Sequence, residues 1–125
     1  MMSRGLLLLY TDFGAGSHYA GEMEMVCRSL APDLPVVALT HQAPRHNPRA
    51  AATLLAALAD GTPRGSILIC VVDPQVGSAR RALVVKSQER WFVGPDNGLM
   101  AAAAGDDASW FHLEWRPDRL SDTFH

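Results

Sequence analysis

No apolar run in this sequence approaches the roughly 20 residues that a membrane-spanning helix needs. The opening aliphatic run, Leu6 to Leu9, is far shorter. Met1 to Leu9, with Arg4 ahead of the apolar stretch, superficially resembles a secretory leader. It leads straight into Tyr10-Thr11-Asp12 without a small-residue cleavage site, so it reads as a first β-strand. Cysteine is scarce. Cys27 and Cys70 are the only two, each in apolar sequence and neither in a metal or redox motif, which suits reduced, buried thiols in a cytoplasmic protein. Charge of one sign is also lacking: 11 Lys and Arg face 13 Asp and Glu, for a net charge of −2, so nothing recommends a nucleic-acid partner. There is no phosphate-binding P-loop, no H-E-x-x-H and no G-x-S-x-G elbow, and Gly14, Gly16 and Gly21 miss the G-x-G-x-x-G spacing. The five histidines are scattered, so no metal site is expected.

What is present is enough for a core. At 125 residues with 48% hydrophobic and 19% charged side chains, the chain reads as one compact domain over residues 1–125. Gly5 to Tyr10, Pro35 to Thr40 and Ser66 to Val72 are β-rich runs. Arg81 to Lys86 and Arg90 to Val93 are two more, parted by a polar turn, and Ser109 to Trp115 is a possible last strand. Ser17 to Ala31 reads as a helix, with Tyr19, Met23, Val26, Cys27 and Leu30 at helical spacing. Arg49 to Asp60 and Leu99 to Ala104 are Ala-rich helices. Apolar strands alternating with helices predict an α/β fold, a mostly parallel central sheet flanked by helices. His112, inside a strand pattern, reads as a packing residue.

In open parallel sheets, ligands bind beyond the carboxyl ends of the strands. Four such ends are polar here: Thr11-Asp12-Phe13-Gly14, Thr40-His41, Asp73-Pro74 and Gly94-Pro95-Asp96-Asn97-Gly98. Asp, Asn, Gly and Pro also simply build turns, and for any single end that plainer explanation suffices. Asp12 is a candidate for a ribose diol, because a carboxylate accepts two hydrogen bonds at once. It is equally suited to an Asx turn. The segment from Asp73 to Arg80-Arg81 brackets a Gly- and Pro-bearing loop with an acid and a base, which could equally be a surface ion pair worth about 0–1 kcal/mol.

Taken in order, Thr11-Asp12-Phe13-Gly14, Tyr19-Ala20-Gly21-Glu22-Met23, Val71-Val72-Asp73-Pro74, Val76-Gly77 with Arg80-Arg81, Val93 through Leu99, and Ser121-Asp122-Thr123-Phe124-His125 resemble the S-adenosyl-L-methionine (SAM) hydroxide adenosyltransferase family. These are relatives of the SAM-dependent chlorinase and fluorinase. The resemblance implies an N-terminal α/β domain only, apparently truncated and without the β-rich C-terminal domain. It implies hydrolysis of SAM to adenosine and L-methionine by water or hydroxide attack at the ribose C5′, with SAM as substrate and no cofactor. Asp73, Arg80 and His125 fall on the family's catalytic positions, where halogenating relatives carry tyrosine in place of Asp73 and His125. Asp12 falls on the ribose carboxylate, and Phe13, Ser17, Arg45 and Asn97 on other substrate-binding positions. Ser17 stands where relatives usually have an acid, Arg45 where they have an aromatic, and Gln75 where they have glycine. The family also implies a homotrimer whose sites form between one subunit's N-terminal domain and its neighbour's C-terminal domain. A non-catalytic adenosine-binding remnant, or a half-enzyme completed by a separate C-terminal domain, is the alternative. A third is an inert fragment that self-associates through Trp91, Trp110 and Trp115.

Overall fold

The computed structural model describes residues 5–74 and 81–114. In chain order these form β1 (Leu7–Thr11), α1 (His18–Leu30), β2 (Val36–Thr40), α2 (Pro48–Ala59), β3 (Ile67–Val71), β4 (Ala82–Ser87), β5 (Arg90–Pro95), α3 (Ala101–Ala104) and β6 (Ser109–His112). The strands make a six-stranded sheet in the order β2-β1-β3-β5-β4-β6. The α/β expectation holds, but the sheet is mixed. β2, β1, β3 and β5 pair in parallel, whereas β4 is antiparallel to both β5 and β6. The cause is local: only Gln88 and Glu89 separate the paired Ser87 and Arg90, and a two-residue turn can return the chain only antiparallel. Gln88 takes the left-handed conformation (φ 49°) that such a turn demands.

The helices start where the sequence supplies caps. The Ser17 hydroxyl accepts from Tyr19 N–H at 3.1 Å ahead of α1, and Asn47 Oδ1 accepts from Ala50 N–H at 3.1 Å ahead of α2, whose first residue is Pro48. α2 and α3 cover one face of the sheet. There Leu8, Tyr10, Leu68, Cys70, Val85 and Phe92 are buried against Leu55, Leu99 and Met100. Gly94 is needed at this layer, since a Cβ there would lie 2.5 Å from the Cys70 carbonyl oxygen on β3. α1 covers part of the other face, packing Met23 and Cys27 on Leu7, Leu9 and Val36.

One apolar stripe divides, and two expectations need correction. Tyr19, Val26 and Leu30 share helical spacing with Met23 and Cys27 but are 45%, 55% and 79% exposed, because the sheet meets α1 along the narrower line of Ala20, Met23 and Cys27. His112 is exposed on the outer strand β6, its Nε2 3.3 Å from an Arg81 guanidinium nitrogen, rather than packed. Trp91 and Trp110 do not share a patch. Trp91 stands opposite Lys86 and Trp110 opposite Val85, and neighbours along a strand point to opposite faces. Trp115 lies outside the described residues.

Candidate functional site

Because β1, β2, β3 and β5 run parallel, their carboxyl ends share one rim. Thr11 is in register with Val71, so Asp12 and Asp73 leave adjacent strands on the same side of the molecule. Of the residues singled out by sequence, Asp12, Phe13, Asp73 and Asn97 are on this rim, each half-buried. Arg45 sits in the loop after β2 with an exposed side chain. Ser17 lies at the start of α1 with its hydroxyl engaged in the cap. Arg80 and His125 fall outside the described residues.

Two loops are laced together around Asp12. The Asp12 Oδ2 accepts from His46 N–H at 2.7 Å. Gly14 N–H donates to the His41 carbonyl at 2.7 Å, and Ala43 N–H to the Thr11 carbonyl at 3.0 Å. His46 adopts a left-handed backbone (φ 53°), a sparsely populated state for a residue with a side chain, and in it offers its N–H to the carboxylate. The hydrogen bond to Asp12 thus occupies one carboxylate oxygen and orients the group. Phe13 stacks on His41 with ring centroids 6.3 Å apart and planes 6° from parallel, and it also meets Tyr19 at 6.3 Å.

At the other end of the rim, Asn97 works on the backbone. Its Nδ2 donates to the Val72 carbonyl at 2.9 Å and its Oδ1 accepts from Leu99 N–H at 3.1 Å. The first bond ties the β5 turn to the residue immediately before Asp73. The second closes an Asx turn beside Gly98, whose φ of 85° suits glycine. Asn97 therefore holds the Asp73 end of β3 in place.

Beneath the rim, burial sets the proton chemistry. Tyr10, fully buried, donates its hydroxyl to the Ala51 carbonyl at 2.6 Å, and burial together with the neighbouring Cys70 pushes its phenol up to about 12. The Cys70 thiol is raised by burial, and Cys27 is raised in the same way. Both cysteines are free. They are poor nucleophiles as placed, because the thiolate is the reactive form. Among the described residues no group of His, Cys, Asp and Glu could hold a metal ion. No helix among them is long and apolar enough to cross a membrane.

The family model for the SAM hydroxide adenosyltransferase N-terminal domain matches residues 7–125. The chain belongs to the SAM hydroxide adenosyltransferase family. An "(R)-S-adenosyl-L-methionine hydrolase" of Salinispora arenicola is 35% identical over 131 residues, covering 100% of this chain and 50% of that protein. One of the same name from Thermus thermophilus is 42% identical over 94 residues, covering 74% of this chain and 36% of the relative. This member of the family thus spans half or less of the length of these curated relatives. A crystal structure described as an uncharacterized conserved protein from Thermotoga maritima superposes with a TM-score of 0.72 at 32% identity, over 76% of this chain and 37% of that one. The crystal structure of a conserved hypothetical protein from Thermus thermophilus gives 0.71 at 37% identity, over 81% and 42%.

Within this family member, sequence reasoning found the acids of the rim but not what fixes them. Thr11, His41 and the backbone of His46 shape the Asp12 turn. The available signal was position, since Thr40-His41 ends a strand on the same rim as Asp12. The bond from Thr11 to His41 joins residues thirty apart and has no sequence signature.

Proposed function

We propose that this chain is the SAM-binding N-terminal half of a SAM hydrolase, forming adenosine and L-methionine. The observation that carries the reading is the rim itself: Asp12 and Asp73 leave adjacent parallel strands in a domain of the SAM hydroxide adenosyltransferase family. In this reading Asp12 accepts both ribose hydroxyls, with Phe13, Ser17, Arg45 and Asn97 around the remainder of SAM. Asn97 contributes by holding the turn beside Asp73.

The reaction needs little besides position. A water oxygen bonds to C5′ while the C5′–S bond breaks, and its electron pair returns to sulfur, converting the sulfonium to the thioether of methionine. The water proton passes to a base. The leaving group is already activated, so no leaving-group acid is required and no cofactor is proposed. Alignment of water with C5′ is a large term, and a general base adds about 10²–10⁴-fold. Asp73 and His125 are assigned to polarise the water, and Arg80 to favour the ionised carboxylate, as a nearby cation does.

The length of the relatives supports a second reading. With about half of such a protein present, the chain binds adenosine or SAM without turnover until a C-terminal domain completes the site. We propose cytoplasmic residence, which the two free thiols suit, and assembly with other subunits as a homotrimer, each site walled by a neighbour, as the resemblance implies.

Incubating SAM with the purified chain and separating the products chromatographically tests the proposal, beside Arg80→Ala. Adenosine and methionine that disappear in the variant establish hydrolysis by this chain. Saturable adenosine binding without product establishes the binding half. SAM left intact and unbound, with and without a relative's C-terminal domain, overturns both.

A further inference from the structure

Thr11 has a fully buried side chain at the end of β1, and its hydroxyl serves two partners. It accepts from Phe13 N–H at 3.2 Å and lies 2.6 Å from His41 Nδ1. A hydroxyl has one proton and two lone pairs, so it can hold both at once. The His41 ring is further fixed by the parallel face of Phe13, and its own carbonyl accepts from Gly14 N–H. His41 therefore touches the Asp12–Gly14 turn at three points: through Thr11, through the Phe13 ring and through the Gly14 amide. None of these contacts is made by Asp12 itself.

We propose that His41 is a positioning residue for the Asp12 carboxylate. It acts through the Thr11 hydroxyl, which bridges the ring to the Phe13 amide and so holds the turn that aims Asp12 at the nucleoside. This rests on the ribose-binding reading of Asp12 given above. A histidine that merely filled space would not need a buried hydroxyl opposite one nitrogen. Burying a hydroxyl is costly unless it is bonded, and here both bonds go to groups that shape the same turn.

The test uses the full chain with adenosine as probe, and four variants. Thr11→Val keeps the shape and removes the hydroxyl. His41→Ala removes the ring. His41→Asn places an amide where Nδ1 stands, and His41→Gln places one nearer Nε2. Affinity is read by calorimetry, and amide hydrogen exchange is read by NMR at Gly14 and His46, with Leu68 of β3 as the internal control. The expected result is about tenfold weaker binding in Thr11→Val and His41→Ala, the size of one lost hydrogen bond. Exchange at Gly14 and His46 rises in both while Leu68 stays protected, and His41→Asn recovers most of each loss. Unchanged affinity and exchange in His41→Ala overturn the proposal. Recovery by His41→Gln but not by His41→Asn also overturns it, because the ring would then touch the ligand through Nε2. If the unmodified chain binds no adenosine, the reading of Asp12 as a ribose site fails. The exchange pattern and its recovery in His41→Asn still decide whether His41 holds the turn.

Discussion

Two rows of side chains cross the same sheet, one on each face, and they meet different fates. On the α2 and α3 side, Leu8, Leu68, Phe92 and Val85 stand in register on four consecutive strands and are 2%, 0%, 1% and 0% exposed. One residue along, Leu9, Ile69, Val93, Val84 and Phe111 form the neighbouring row on the α1 side. Leu9 is fully buried there and the next three are half-buried, while on the outer strand β6 both rows end exposed, at Phe111 (51%) on this side and Trp110 (44%) on the other. The strand residues are equally apolar in both rows. What differs is cover, since α1 lies over β1 and β2, and among the described residues no helix packs on this face beyond them. Strand patterning specifies which side chains want to be buried, and only helix placement decides which of them are.

The comparison breaks most sharply with truncation. Leu68→Ala should cost about 2–5 kcal/mol in a denaturant melt, the usual penalty for an unfilled core site. Phe111→Ala should cost about 1 kcal/mol or less, because half of its surface is already wet. Comparable losses would show that the α1 side is sealed in solution. Gly94→Ala probes the sealed side by overpacking. Its Cβ would meet the Cys70 carbonyl at 2.5 Å, backbone that cannot swing away, and a loss of about 1–3 kcal/mol is expected in the same melt.

Proton chemistry sharpens the contrast. Tyr10 belongs to the sealed side, and its phenol is raised to about 12 by burial and by Cys70. The unfolded chain therefore loses this proton first. Tyr10's contribution is complete below about pH 10, the ordinary tyrosine value, and is lost as pH climbs through 12. Alkaline melts should show that loss, and Tyr10→Phe should flatten it. The two thiols divide similarly. Cys70, fully buried with a raised pKa, should resist a disulfide reagent at about pH 8 until the chain unfolds, whereas half-buried Cys27 should react slowly in the native state. The smallest effect is expected from Phe111→Ser, which loses the same half-wet ring as Phe111→Ala and should likewise cost about 1 kcal/mol or less in stability. It should also reduce binding of an apolar dye to the open side.

The sequence by itself determined the elements and the rim. Apolar runs, the helical stretches and the polar ends after four strands were all legible, because each depends on neighbours in the chain. So was the resemblance to SAM hydroxide adenosyltransferases, carried by short motifs in a fixed order. Tertiary structure decided what depends on distant residues. It chose the line of α1 that faces the sheet, leaving Tyr19, Val26 and Leu30 outside. It sent Trp91 and Trp110 to opposite faces through strand register. It also joined Asp12 to His46, Thr11 to His41 and Asn97 to Val72, hydrogen bonds across twenty-five residues or more. Such bonds follow from which strands lie side by side, and that order is set by packing rather than by any local pattern.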